Sequence, residues 1–291
     1  MFDVVIPIYR IRGELLEKCL ESVSRQTFSG LTQVWIIDGT PESAQEAEDI
    51  NDIKEFFPEF NWVRQTGTGV SQARNQAVAL GTQPWVAFLD GDDWWYPEHL
   101  EELATSIATL ASDHVMVWNA GDVDVSMTSS KGNVYQSRRA FNWFPNLSDW
   151  HPRYHGLYFK YHAMVFPSSV AVKRQRFEQT QGFPEQLFAG EDQILWYRLC
   201  GDPRSDDKVY RVWGNDYVGA YRLQEDDYFN KGQNPLQDMW GSEAQQRFAD
   251  NLTQMETIFP GFNTDPCPAD ITPQEWDTLT NNPLIVDHWD A

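Results

Sequence analysis

The stretch Trp85-Val86-Ala87-Phe88-Leu89-Asp90-Gly91-Asp92-Asp93 decides the fold. Five apolar residues in a row, stopped by an acidic turn, read as a strand covered on both faces, which is how strands of a parallel sheet are buried. In open sheets of that kind ligands bind beyond the carboxyl ends of the strands, where the loops converge. Three carboxylates delivered there repel one another unless a cation joins them, and the hard ions Mg²⁺ and Mn²⁺ take oxygen ligands. The spacing alone proves little, because Asp122 and Asp124 repeat it. A capped, solvated strand end is the plain alternative.

Working outward from this strand, short apolar runs alternate with stretches of helical period from residue 2 to about 120, the pattern of βα units. Val4, Val5, Ile6 and Ile8 make a first strand. Leu16, Cys19, Leu20 and Val23 recur at one helix face, and Gln33 to Asp38 form a second strand. Thr40 and Pro41 predict a helix N-cap followed by proline at the first helical position. Asn61 to Gln65 reads as a third strand, Val70 to Leu80 as a helix ended by Gly81, and Leu100, Leu103, Ile107 and Leu110 as a further helix.

Beyond residue 120 the rhythm changes. A hairpin is expected around Ser129 to Asn133, then an aromatic, histidine-bearing stretch from Phe141 to Phe166, a strand near Ser169 to Val172 and a helix from about Glu191 to Cys200. Residues 225 to 291 hold 13 acidic and 2 basic side chains, yet Leu236, Met239, Trp240, Phe248, Leu252 and Met255 give part of this tail a helical apolar face. A packed acidic appendage is therefore expected rather than a disordered tail, and it is a candidate surface for homo-oligomer formation.

Composition narrows the partners. The 291 residues carry a formal charge of -21, which repels phosphate backbones and anionic headgroups, so neither nucleic acid nor a membrane surface is expected. Thirteen tryptophans and 14% aromatic residues supply a core that a disordered chain lacks. Cys19, Cys200 and Cys267 are scattered and odd in number, which reads as reduced thiols. The N-terminus lacks a signal-like apolar run, and no 18 to 20 apolar residues occur together, so no transmembrane segment and a cytoplasmic location are expected.

Two further polar groupings share the sheet edge. Asp38-Gly39-Thr40 ends the second strand and can accept hydrogen bonds from a base or ribose, while Arg74 is a donor for a base or phosphate. Read alone, Asp38 is a capping turn and Arg74 a solvated helix charge. Gly190-Glu191-Asp192 opens a helix, where unpaired N–H groups stabilise carboxylates. The pair is then either a cap or a general base with its neighbour.

Five blocks, VVIPIYR (4 to 10), IIDGT (36 to 40), GVSQARNQAVAL (69 to 80), FLDGDDWWYP (88 to 97) and GEDQILWYRL (190 to 199), stand in the order seen in family 2 glycosyltransferases, and the chain resembles that family from residue 2 to about 223. The resemblance implies an α/β, Rossmann-like GT-A domain with a central, mostly parallel sheet. Residues 1 to 120 would form its donor half, 121 to 224 its acceptor and base half, and 225 to 291 the appendage. It places Pro7, Tyr9 and Asp38 around the nucleotide base and Arg74 near the base or phosphates. Asp90 and Gly91 would lie against the donor, Asp92 with Asp90 on a Mn²⁺ or Mg²⁺ ion, and Asp192 would be the base, oriented by Glu191 or with Glu191 on the acceptor. The implied reaction is single, inverting displacement from a nucleoside-diphosphate sugar, UDP by default, to a hydroxyl, as on a glycan.

The sequence departs from the pattern in two places. Many members carry histidine after the YR of a late strand, whereas Tyr221-Arg222-Leu223 leads here to Gln224, and the first turn reads Ile8-Tyr9-Arg10 instead of ending in asparagine. Arg222 and Gln224 are placed on the acceptor side with Trp150, Tyr154 and His155, whose stretch from Trp143 to His162 reads equally as a sugar-stacking wall or an aromatic subdomain core. Histidines 151, 155 and 162 lack ligand partners at convincing spacing, which favours a non-metal reading. A catalytically silent nucleotide or glycan binding module is the main alternative. A nucleotidyltransferase has less support, since no glycine-rich, lysine-bearing phosphate loop occurs.

Overall fold

The computed structural model describes residues 1–128, 134–141, 155–156, 159, 165–187, 190–201, 210–225, 253 and 257, with the side chains of 123–141, 216–218 and 222–225 outside that description. Three βα steps and a fourth strand open the chain. They are β1 (Phe2–Ile8), α1 (Gly13–Ser24), β2 (Thr32–Asp38), α2 (Glu46–Phe56), β3 (Asn61–Arg64), α3 (Val70–Leu80) and β4 (Trp85–Phe88). Their strands lie parallel in the order β3-β2-β1-β4. The chain builds outward from β1 to β2 and β3 and then returns to place β4 on the other side, so a crevice opens at the top of β1 and β4, where ligands bind in such sheets.

The second part of the chain extends the same sheet. It contributes β5 (Trp94–Trp95), α4 (His99–Thr109), β6 (His114–Thr128), β7 (Val134–Phe141), a short 3-10 turn at Pro167–Ser169, β8 (Val170–Lys173), α5 (Arg174–Gln179), α6 (Glu191–Cys200) and β9 (Arg211–Glu225). Beyond β4 the order is β8-β6-β9-β5, with β7 paired to β6. The sheet is mixed: β6 and β9 run parallel, while β8, β5 and β7 pair antiparallel. β6 and β7 pair antiparallel with Thr128 opposite Val134, while Ser129 to Asn133, where the hairpin turn is expected, lie outside the described residues.

Burial on both faces explains the unbroken apolar runs. Alternate residues of β1 and β4 point to opposite sides. Val4, Ile6, Ala87 and Leu89 pack with Leu16, Cys19 and Leu20 of α1. Val5, Val86 and Phe88 pack with Ala73, Ala77 and Val78 of α3 and with Leu195, Trp196 and Leu199 of α6. One polar group interrupts β1. Asp3 is 0% exposed, and its carboxylate accepts from Trp35 Nε1 at 3.0 Å, Gln83 N at 2.7 Å and the Arg174 guanidinium at 2.5 Å. Buried charge persists only when paired in this way, and here the pairing ties β1, β2 and α5 together away from the ligand crevice.

One expected boundary is corrected. Thr40 does not cap a helix starting at Pro41; α2 begins at Glu46, and residues 41–44 form a turn in which Ala44 N donates to Pro41 O at 2.9 Å. The Thr40 hydroxyl accepts instead from Arg10 N at 2.8 Å, so the group that would have capped the helix fastens the end of β1 to the end of β2. Among the described residues no helix is long and apolar enough to cross a membrane.

Candidate active site

The ends of β1, β2 and β3 are tied into one rim. Gly39 N donates to Ile8 O at 2.9 Å, and Gln65 N donates to Asp38 O at 2.9 Å. Asp38 accepts from Thr40 N at 2.8 Å and from the Arg64 guanidinium at 3.1 Å, so its carboxylate holds the turn as well as facing the crevice rim. Tyr9, beside it, is 60% exposed, and Pro7 is half-buried. Gly91 lies against the end of β1, where an added Cβ would stand 2.9 Å from Ile8 Cγ2 and 3.0 Å from Ile11 Cδ1. Glycine is needed there because the acidic turn approaches that strand so closely.

The three carboxylates after β4 have different surroundings. Asp93 is buried and accepts from Ser168 Oγ at 2.5 Å; the same Ser168 oxygen accepts from Asp90 N at 3.0 Å, and Ser168 O accepts from Trp95 Nε1 at 2.6 Å. Asp90 is paired with Arg74 at 2.6 Å. Asp92 stays half-buried. A serine and an arginine of the chain itself thus partner two of the three carboxylates, Asp93 and Asp90. Ser168 was not visible as a site residue in the sequence. It comes from a distant proline-containing turn, and no local pattern marks it.

Arg74 is the centre of the arrangement. It is 2% exposed, which removes the solvated-charge reading, and its guanidinium reaches Asp90 on one side and Glu191 Oε1, at 2.8 Å, on the other. Burial opposes its charge, but Asp90 and Glu191, with Asp192 adding to them, outweigh that and raise its pKa above the ordinary value, so the group is a permanent cation. Glu191 and Asp192 open α6 after Gly190, whose φ of 76° lets the chain turn into the helix. Asp192 is half-buried and accepts from Gln193 N at 2.7 Å, using a first-turn N–H that has no helical partner. Thus the helix start and the acidic turn, about a hundred residues apart in sequence, meet across one arginine.

Cys19 lies under this cluster. Burial first, then Asp93, Asp92 and Asp90, push its thiol well above the ordinary value, so it is a neutral packing group and no nucleophile. Cys200 is likewise buried and unpaired, and Cys267 lies outside the described residues. Among the described residues no three His, Cys, Asp or Glu side chains converge on a point that would hold a metal by protein ligands alone.

The acceptor-side expectations fare unevenly. His155 is 3% exposed and its Nδ1 accepts from Val212 N at 3.3 Å, so it packs against β9 and is no open sugar contact. Trp150 and Tyr154 lie outside the described residues, as does the tail beyond Glu225 apart from Thr253 and Thr257. Arg222 and Gln224 are in β9 opposite Val123 and Val125, with their side chains outside the description.

With that geometry in place, comparison with known proteins is decisive for ancestry. The profile of Glycosyl transferase family 2 matches residues 3–166, more than half of the chain. The chain belongs to glycosyl transferase family 2. The match covers β1 to β7 and the acidic turn that the fold brings to the crevice. Glycosyltransferase GlyA of Streptococcus pneumoniae is 26% identical over 226 residues, 76% of this chain and 30% of that protein. Across three curated relatives the match spans 26–30% of the relative's length. Two solved structures share the fold of this family 2 chain. PcManGT, a mannosyltransferase from Pyrobaculum calidifontis in complex with GDP-Man and Mn²⁺, has a TM-score of 0.60 at 18% identity, covering 97% of this chain and 71% of that one. S. aureus TarS 1–349 in complex with UDP has a TM-score of 0.52 at 17% identity, covering 95% and 77%.

Proposed function

We propose that this family 2 chain is an inverting glycosyltransferase that moves a sugar from a nucleoside-diphosphate sugar, UDP by default, to a hydroxyl of a glycan acceptor, with a divalent ion at the acidic turn. Residues 1 to 120 form the donor half, 121 to 224 the acceptor and base half, and 225 to 291 an appendage. The single observation that carries the reading is Arg74, which holds Asp90 and Glu191 at once and so brings the donor carboxylates and the Glu-Asp pair to one sheet edge. Support for the donor class comes from the two fold neighbours, solved in complex with UDP and with GDP-Man and Mn²⁺.

In this reading Pro7, Tyr9 and Asp38 receive the base at the rim, with the exposed Tyr9 ring offered for stacking. Asp92 and Asp90 are hard oxygen donors, the type that Mg²⁺ or Mn²⁺ takes together with substrate phosphate oxygens. The ion, when bound, neutralises charge on the leaving diphosphate. Asp192, half-buried at the mouth of α6, takes the proton from the acceptor hydroxyl as that oxygen attacks the anomeric carbon from the side opposite the diphosphate. Glu191 stays on Arg74 and keeps the helix start in register with the donor turn. No covalent nucleophile is required.

The test is turnover of UDP- and GDP-sugars with Mn²⁺, read as released nucleoside diphosphate. Asp192→Ala should lower the rate by about 10² to 10⁴, the range for a positioned base. Asp92→Ala should abolish the response to Mn²⁺. Unchanged turnover in both variants would sink the assignment.

A further inference from the structure

Next to Arg74 stands Asn75, which takes no part in the chemistry just described. Its Oδ1 accepts from Phe183 N at 2.9 Å, and its Nδ2 donates to Phe183 O at 2.9 Å and to Glu185 Oε1 at 3.0 Å. A side-chain amide has one acceptor oxygen and two donor hydrogens. All three functions are used, and two of them pair with both polar groups of one backbone residue, as a neighbouring strand would. The loop is shaped to receive it. Gln181 and Gly182 have φ of 67° and 72°, and a Cβ at Gly182 would stand 2.5 Å from Asn75 Oδ1.

The residue so held is a junction. The Phe183 ring lies edge-on to Phe88 of β4 with centroids 5.2 Å apart, sits 5.0 Å from the Arg74 guanidinium carbon, and packs 6.1 Å from Trp196 of α6. Phe88 is two residues before Asp90, and Trp196 is one helical turn beyond Asp192 on the same face. A shift of Phe183 therefore moves the helix that carries Asp192 relative to the turn that carries Asp90.

We infer that Asn75 is a positioning residue: by clamping the backbone of Phe183 it sets the distance between the donor carboxylates and the base Asp192. This rests on the reading of Asp192 as the base. Asn75 itself faces the loop, so loss of the clamp should leave donor binding intact and slow the chemical step, and a displacement of about 1 Å is enough for a loss of about 10²-fold.

The experiment uses the full chain with Asn75→Ala, Asn75→Asp and, as a control on the far edge of the sheet, Asn61→Ala, which removes a single side-chain bond to Val34 O. Turnover and KM are measured on UDP- and GDP-sugars with Mn²⁺, and amide hydrogen exchange is followed over residues 180–187. The expected result is a kcat about 10²-fold lower in Asn75→Ala with KM within about twofold, faster exchange at Phe183 in both Asn75 variants, and neither effect in Asn61→Ala. Asn75→Asp keeps the acceptor for Phe183 N but sets a carboxylate against Phe183 O and Glu185, so it should behave like Asn75→Ala. A wild-type kcat in Asn75→Ala overturns the inference while leaving the glycosyl-transfer reading standing. Absence of turnover by the wild-type chain on every donor defeats that reading, and unchanged exchange at Phe183 then overturns the clamp independently.

Discussion

Arg74 shows how much a single buried cation can organise. Burial makes an unpaired guanidinium costly, and the two carboxylates become costly in turn if it is removed. Arg74→Ala should destabilise the fold by about 3 to 5 kcal/mol, the range for breaking a buried pair from one side. Arg74→Lys keeps the charge but not the planar fork, so it can serve Asp90 or Glu191 with good geometry but not both. It should lose less stability than Arg74→Ala and still lose turnover. Urea unfolding alongside donor turnover decides this, and an Arg74→Lys protein equal to the wild type in both measurements would remove Arg74 from the centre of the site.

At the scale of elements, α4 is locked to the sheet by His99. Its ring stacks on Trp95 at 4.5 Å, its Nδ1 lies 3.0 Å from Asn119 Nδ2, and a Cβ on Gly219 would stand 2.3 Å from the same His99 Nδ1. Three strands, β5, β6 and β9, thus meet one histidine of α4, and the close approach of β9 requires glycine. Burial pushes His99 from its ordinary 6.5 down to about 3. The folded chain therefore keeps the ring neutral while the unfolded chain binds a proton below about 6.5. The unfolded state holds more protons in that window, so the His99 contribution is intact above 6.5 and is lost as pH falls toward 3. At pH 5 the loss is about 2 kcal/mol, from about 1.4 kcal/mol per unit. His99→Gln, though weaker at pH 7, should show a correspondingly smaller fall in unfolding free energy between pH 7 and pH 5. An equal fall in both proteins would mean that the ring is solvated or charged in the fold.

The whole molecule carries a charge of -21 and yet is proposed to bind an anionic donor. That is physically coherent only if positive charge is supplied where the phosphates dock, and Arg74 is already committed to two carboxylates. UDP or GDP with Mn²⁺ should therefore raise the melting temperature, whereas the nucleotide without the metal should not. A ligand at 100 times its Kd adds about 2.7 kcal/mol, and Asp92→Ala should abolish the gain. Equal stabilisation by nucleotide alone would show that the anion is met by protein groups instead.

Local sequence determined the elements because their signals are local. The short apolar run at Trp85–Leu89, stopped by an acidic turn, reads as a strand buried on both faces, the period at Leu16, Cys19, Leu20 and Val23 reads as one side of a helix, and the glycine-bounded Val70–Leu80 helix has the ends that the chain marks. The order of the acidic turn and the Glu-Asp helix start was legible for the same reason. Tertiary structure alone decided which partner each polar group takes. Thr40 reads as a cap but is claimed by Arg10 across β1 and β2, His155 reads equally as sugar wall or core and packs on β9, and neither Ser168 nor the bonding of Asn75 to Phe183 has a local mark. A hydrogen bond or an ion pair is a property of two positions at contact distance, and only the folding of the sheet brings residues about a hundred places apart to that distance.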